Sequence, residues 1–96
     1  MLMTILEAHV PGDRWAELQQ TYGDATAHLD EGITQTFLIQ AVSDATLWRI
    51  VTVWRDRAAL EAMRKSGQIP RGVLIFRAAG AEPALTVFEV AAHAAI

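Results

Sequence analysis

The chain contains no cysteine. That absence excludes disulfides, thiolate nucleophiles and thiolate metal sites. Basic residues are sparse as well: 8 Lys and Arg stand against 11 Asp and Glu, for a formal net charge of −3. The densest basic stretch, Arg49, Arg55, Arg57, Arg64, Lys65 and Arg71, is diluted by Asp56 and Glu61. No phosphate-binding face is expected from it, so nucleic acid and anionic membrane are discounted as partners. No apolar run reaches the ~18 residues of a spanning helix. Met1 to Leu6 is apolar but lacks a basic lead and soon meets Glu7, so it does not read as a secretory signal. A cytoplasmic location is the resulting expectation. The chain lacks a Gly-rich phosphate loop, a metalloprotease helix motif and a serine elbow. Ser43 and Ser66 have no histidine near them in sequence, and nucleophilic catalysis has no support.

What is present fits one domain, residues 1–96, because two cores would each be too small to hold themselves together. Hydrophobic residues make up 52% of the chain and charged residues 20%. Seventeen of the hydrophobic residues are alanine, so the core is smaller than that share suggests. A domain with much apolar surface and few charges commonly buries the excess in a partner subunit.

Thr4 to Val10 reads as a strand, stopped by Pro11 and Gly12. Asp13 suits a helix N-cap. Trp15, Leu18 and Tyr22 then recur on one helical face, a stripe that His28, Ala25 and Leu29 extend to Gly32. Ile33 to Val42 is a second strand, with Ile33, Phe37, Ile39 and Ala41 on one face and Thr34, Thr36, Leu38 and Gln40 on the other. Ser43, Asp44 and Ala45 make a turn into a third strand, Leu47 to Trp54. Asp56 can cap a second helix, whose inner stripe is Ala59, Leu60 and Met63. Gly67 and Pro70 interrupt it, and Val73, Leu74, Phe76 and Arg77 form a further helical piece ending at Gly80. After Pro83, Leu85 to Ala92 is a last strand with Phe88 and Val90 facing one way and Val87 and Glu89 the other.

The order β-α-β-β-α-β is the split βαβ signature, so the fold class is α+β: a ferredoxin-like antiparallel sheet with helices on one face. The strands are apolar on both faces, as in Ile5 against Leu6, Trp48 and Ile50 against Val51 and Val53, and Val87 against Phe88. A second copy packing sheet to sheet is the simplest cover, so a homodimer is expected. The tail, Ala91 to Ile96, is expected to fray or to reach across that partner.

The stretch from Leu47 to Met63, Leu-Trp-Arg-Ile-Val-Thr-Val-Trp-Arg-Asp-Arg-Ala-Ala-Leu-Glu-Ala-Met, resembles the hallmark of the antibiotic biosynthesis monooxygenase (ABM) domain family. So does Pro83-Ala-Leu-Thr-Val-Phe-Glu-Val90, which is similar to that family's last strand. The resemblance implies a dimeric α/β barrel with a pocket between sheet and helices. It also implies a monooxygenase, an oxidoreductase that works on aromatic or quinol-like molecules without metal, flavin or other cofactor. Trp54 matches the strand-end tryptophan of quinone-forming members. Where those members carry an asparagine and a tyrosine, this chain has Ile50 and Leu60. Haem-degrading members use an asparagine, a tryptophan and a histidine, whose nearest counterparts here are Ala8, Met63 and Val73. None of these ligates iron, so haem degradation is not expected.

On the oxygenase reading, Trp54 and Trp48 wall the pocket, Phe37, Met63 and Phe76 line it, and His28 or His9 is the acid/base. Each residue also has a plain structural account. The tryptophans, Trp15 included, serve as core, and His28 compensates a helix C-terminus. Arg49 and Arg55 either orient an anionic substrate or pair with Glu61 and Asp56. Glu7 and His9 share one strand face, and Glu89 and His93 share one face of the last strand. Should these four meet, they would suit zinc or acid/base work, against a solvated or dimer-lining polar cluster; no metal site is expected. The alternative function is a non-catalytic dimeric barrel that binds a small apolar ligand or merely fills its pocket.

Overall fold

The structure is a computed structural model that describes residues 1–95. Four strands, β1 (Leu2–His9), β2 (Ile33–Gln40), β3 (Leu47–Trp54) and β4 (Ala84–Glu89), form one antiparallel sheet in the order β2-β3-β1-β4. Helices α1 (Trp15–Ala25), α2 (Arg57–Lys65) and α3 (Arg71–Ala78) accompany it. This is the expected α+β, ferredoxin-like arrangement, with the second helix broken into two at Gly67 and Pro70. The sheet is open, with β2 and β4 as its edges.

Local chemistry sets the breaks. Asp56 caps α2, its carboxylate accepting the Ala59 backbone N–H at 2.9 Å; this satisfies one of the orphan donors of the first turn. Asp13, expected to cap α1, lies instead in a short 3-10 turn, Gly12–Arg14, and α1 has no side-chain cap. Its entry is anchored by Trp15, whose indole N–H donates to the Val10 carbonyl at 2.8 Å. The stripe expected to carry α1 to Leu29 stops at Ala25. There the Thr26 backbone N–H and hydroxyl both donate to the Tyr22 carbonyl, at 3.0 and 2.7 Å, and close the last turn. Gly32 has φ +93°, and a Cβ there would lie 2.4 Å from Ala59 Cβ. Only glycine both turns the chain into β2 and lets it pass this close to α2.

The period of two along each strand decides what faces the helices. Leu2, Thr4, Leu6 and Ala8 of β1 pair in register with Trp54, Thr52, Ile50 and Trp48 of β3. A bulge between Ile33 and Gln35 shifts β2 by one residue. Ile33 therefore joins Thr36 and Leu38 on the helix side, packing beside Leu2, Trp54 and Leu60. This corrects the expected grouping of Ile33 with Phe37 and Ile39, because a bulge reverses the alternation for every residue before it. The strand ends also move: β1 runs from Leu2 to His9 rather than from Thr4 to Val10, while β2 ends at Gln40 and β4 at Glu89. Ala91 to Ala95 form no helix or strand, and Ile96 lies outside the described residues.

The core on the helix side falls into two clusters. The larger one joins Leu6, Ala8, Val10, Leu18, Trp48, Ile50, Ile75, Phe76 and Ala79. The smaller joins Leu2, Trp54 and Leu60 under α2. The opposite face carries Met3 and Ile5 of β1 and Val51 of β3, flanked by Phe37, Ile39 and Phe88. Phe37 and Phe88 are each 48% exposed. Glu7 and Arg49, paired at 2.6 Å, give this apolar face one polar end.

We propose that a second copy of the chain covers this face. Light scattering at micromolar concentration is expected to report a dimer, and Phe37→Glu to convert it to a monomer; a monomeric parent would overturn the idea. The cap makes a separate prediction. The Ala59 N–H holds the Asp56 carboxyl below its ordinary value of 3.8, and the nearby Arg55 adds to this. A depressed carboxyl stabilises the fold above that ordinary value and loses this contribution as the pH falls through the lower folded value. Asp56→Ala should therefore lower Tm at neutral pH, and the difference from the parent should shrink in scans below about pH 4.

Candidate functional site at the seam between two cores

Between the two clusters the helix-side floor of the sheet is not apolar. Thr4 of β1 pairs with Thr52 of β3, and Thr52 pairs with Thr36 of β2. On three adjacent strands the same inward order repeats: an apolar residue of the small cluster, a threonine, then a residue of the large cluster or packed on it. The three threonines form a row across the sheet. β-Branched and half apolar, threonine keeps the strand geometry while placing a hydroxyl where a valine would have packed.

Above this row lies a cavity of about 120 Å³. Trp54, Ile50, Leu6, Leu60, Met63 and Ile75 form its apolar walls, and Tyr22 reaches over it from α1. The rim includes Leu29, 44% exposed, and Leu85, 50% exposed, so the cavity opens to solvent. α3 begins at this rim with Pro70, Arg71 and Gly72. Gly72 permits close approach to the sheet, since a Cβ there would lie 2.5 Å from Leu6 Cδ1.

The hydroxyls are not equally engaged. The Trp54 indole N–H donates to Thr4 Oγ1 at 3.1 Å. The Tyr22 hydroxyl donates to Thr36 Oγ1 at 3.3 Å. The Thr52 hydroxyl lies 3.5 Å from Thr36 Oγ1, at the outer limit of a hydrogen bond. Thr52 therefore keeps hydrogen-bonding capacity in the middle of the floor, where a ligand oxygen can use it. At the mouth, Arg71 is tied to the segment after α1. It donates to the carbonyls of Ala25, at 3.2 Å, and His28, and meets the Asp30 carboxylate at 3.1 Å.

Of the residues expected to serve a pocket, the structure places Trp54 and Met63 on the cavity wall. The others lie elsewhere. Trp48 is 5% exposed within the large core and meets Trp15 edge-on at a centroid distance of 6.0 Å. Its buried indole N–H has no partner among the described residues. Phe76 is buried in that same core, and the bulge in β2 leaves Phe37 on the far side of the sheet. His9 also lies on the far side, at the other end of β1 from Leu2, with Nδ1 3.0 Å from Thr46 Oγ1. The His28 side chain is exposed and is not part of the cavity lining. Neither imidazole is placed to act on a molecule in this cavity.

Glu7, His9, Glu89 and His93 do not gather. The antiparallel pairing sets Glu7 beside Ala84 and Glu89 beside Leu2, so the two carboxylates stand at opposite ends of the β1–β4 ladder. Glu7 is taken up by Arg49, and Glu89 approaches Arg57 at 4.0 Å. Among the described residues no group of three or more His, Cys, Asp and Glu is placed to hold a metal ion. None of the described helices is long and apolar enough to cross a membrane. Sequence reasoning missed Thr4, Thr36, Thr52 and Tyr22. The available signal was a threonine between apolar inward neighbours on each of three strands, but it needs the strand register to become a row.

Residues 1–73 match the family model described as antibiotic biosynthesis monooxygenase. No curated protein sequence matches the chain. Among solved structures, one from Deinococcus radiodurans, provisionally described as an antibiotic biosynthesis monooxygenase, superposes with a TM-score of 0.73 at 16% identity, covering 100% of this chain and 98% of that one. SnoaB of Streptomyces nogalater, described as a cofactor-independent oxygenase, superposes with a TM-score of 0.71 at 16% identity, covering 96% of this chain and 94% of that one. Rv0793 of Mycobacterium tuberculosis does so with a TM-score of 0.67 at 16% identity, covering 99% and 100%. Likeness at this identity speaks for the fold.

The unequal engagement of the floor hydroxyls is testable by urea unfolding. Thr4→Val strands the buried Trp54 N–H and should cost about 1–3 kcal/mol. Thr52→Val, which breaks only the longest contact, should change stability by less than about 1 kcal/mol.

Proposed function

The chain belongs to the antibiotic biosynthesis monooxygenase family, and from that premise we propose that it is a cofactor-independent monooxygenase acting on a single-ring phenol or quinol bound over the threonine row. The observation that carries the reading is the cavity: apolar walls of the kind that hold a ring, above a floor with one under-used hydroxyl. The described activity of SnoaB, a protein of like fold, supports the reaction type.

Volume argues for one ring. Pockets that enclose drug-sized molecules run from about 300 Å³ upwards, whereas a cavity of about 150 Å³ accepts benzene. At about 120 Å³ this cavity suits one ring with its substituents towards the mouth, and a fused polycycle would not fit within it. The ring would lie against Trp54, Leu60 and Met63, with a ring oxygen hydrogen-bonded by Thr52.

The reaction balances without an external reductant. In a hydroquinone, one oxygen atom enters a ring C–H bond as a hydroxyl. The two phenolic O–H groups become carbonyls, and their hydrogens leave with the second oxygen atom as water. All the electrons that reduce oxygen come from the ring. The chain's own contribution is to orient the substrate anion, exclude water around it and hydrogen-bond its oxygen. No imidazole lines the cavity, so the anion is supplied by ionisation in solution rather than by a histidine base.

A second reading, a non-catalytic binder of a small apolar ligand, is favoured by one observation. Ile50 and Leu60, both buried, give the cavity wall apolar side chains at the positions where the resemblance to quinone-forming members implies an asparagine and a tyrosine.

One assay separates the two. With hydroquinone as probe, the oxygenase reading expects tryptophan quenching that Trp54→Phe abolishes. It also expects oxygen uptake above the protein-free rate with one oxygen consumed per quinone formed, and uptake at least about tenfold lower in Thr52→Val. Quenching without uptake selects the binder. The absence of both sinks the two readings together.

A further inference from the structure

The cavity mouth carries unbalanced charge. Three charged side chains line it: Asp30, Arg64 and Arg71. Asp30 and Arg71 neutralise each other at 3.1 Å, and Arg71 is further committed to the carbonyls of Ala25 and His28. Arg64 is left over. Its nearest carboxylate is Glu61, at 3.8 Å and three residues back on α2, which is beyond hydrogen-bond distance. Among the described residues nothing hydrogen-bonds its guanidinium, and the side chain is 49% exposed.

A cation in the last turn of α2 has a general explanation, since it compensates the negative end of the helix. Lys65, the next residue, can do the same from outside the cavity lining. What helix electrostatics leaves unexplained is a rigid fork of donors at the mouth of an apolar cavity. The local excess is also opposite in sign to the chain, whose net charge is −3. Two cations and one anion line the mouth, with Glu61 offsetting part of the Arg64 charge from 3.8 Å, so an anion meets less repulsion here than the chain's net charge would suggest.

Resting on the proposed function, we propose that the cavity selects a ring that carries a carboxylate, with Arg64 as the specificity-determining residue. The ligand class is a phenolic carboxylic acid. Its hydroxyl end meets Thr52 on the floor, its ring fills the apolar middle, and its carboxylate stays at the rim against Arg64. The guanidinium matches a carboxylate in two parallel hydrogen bonds. Because Arg64 is half exposed, the acid group keeps part of its hydration, and the large cost of burying an ion pair does not arise. The cavity volume points the same way, since about 120 Å³ holds the ring but leaves the acid group outside.

The test compares two probes of one ring, 2,5-dihydroxybenzoate and hydroquinone, by titrating tryptophan quenching in the full chain. The expected result is at least about fivefold tighter binding of the acid at low salt, what a half-exposed bidentate pair yields. That ratio should fall towards one in Arg64→Met, recover in part in Arg64→Lys, and shrink as salt is added. Equal affinities in the parent, or a preference that survives Arg64→Met, overturns the inference while leaving the proposed function standing. If neither probe binds, the proposed function fails and the inference with it.

Discussion

The sheet has to be covered, and its helices are too few and too short to cover it evenly. Three helices of 11, 9 and 8 residues lie over four strands. α1 and α3 close over Leu6, Trp48, Ile50 and Phe76, while α2 closes separately over Leu2 and Trp54. A protein interior packs as densely as an organic crystal, so a seam between two such clusters has to be filled or left as a cavity. Here it is left, and the threonine row is what makes that tolerable. Hydroxyls facing an open cavity keep access to water, where buried hydroxyls without partners would be costly.

The second consequence of the same constraint is the far side of the sheet. Met3, Ile5, Val51, Phe37 and Phe88 need cover that none of the described helices supplies. The two faces are linked through register. The bulge at Ile33 and Gln35 that brings Ile33 to the small cluster is also what sends Phe37 outward. One extra residue in β2 thus shapes both the wall of the cavity and the composition of the apolar face.

Chemistry at the seam follows from what the surrounding residues are unable to do. The cavity has hydroxyls, one indole, two guanidiniums and one carboxylate, but no imidazole and no thiol. Such a site orients and solvates a reactive molecule rather than attacking it. That suits a substrate that supplies its own electrons to oxygen, and it equally suits a ligand that is only held. Family membership sets the frame within which both are weighed; the walls at Ile50 and Leu60 are what keep the second in play.

Much of this could be read along the chain because it depends on local rules. Alternation gave the strands, Gly67 and Pro70 the break between α2 and α3, and Asp56 the cap that the structure shows at 2.9 Å. The sequence by itself determined the element order, the apolar character of both sheet faces and the absence of thiol chemistry. Only the tertiary structure decided which residues meet. Cross-strand register aligned Thr4, Thr52 and Thr36 from three separate strands. The bulge reversed the alternation at Ile33, and antiparallel pairing drew Glu7 and Glu89 apart. Each of these is set by how strands slide and pair. A shift of one residue moves every side chain to the other face, and no single strand carries that offset in its own sequence.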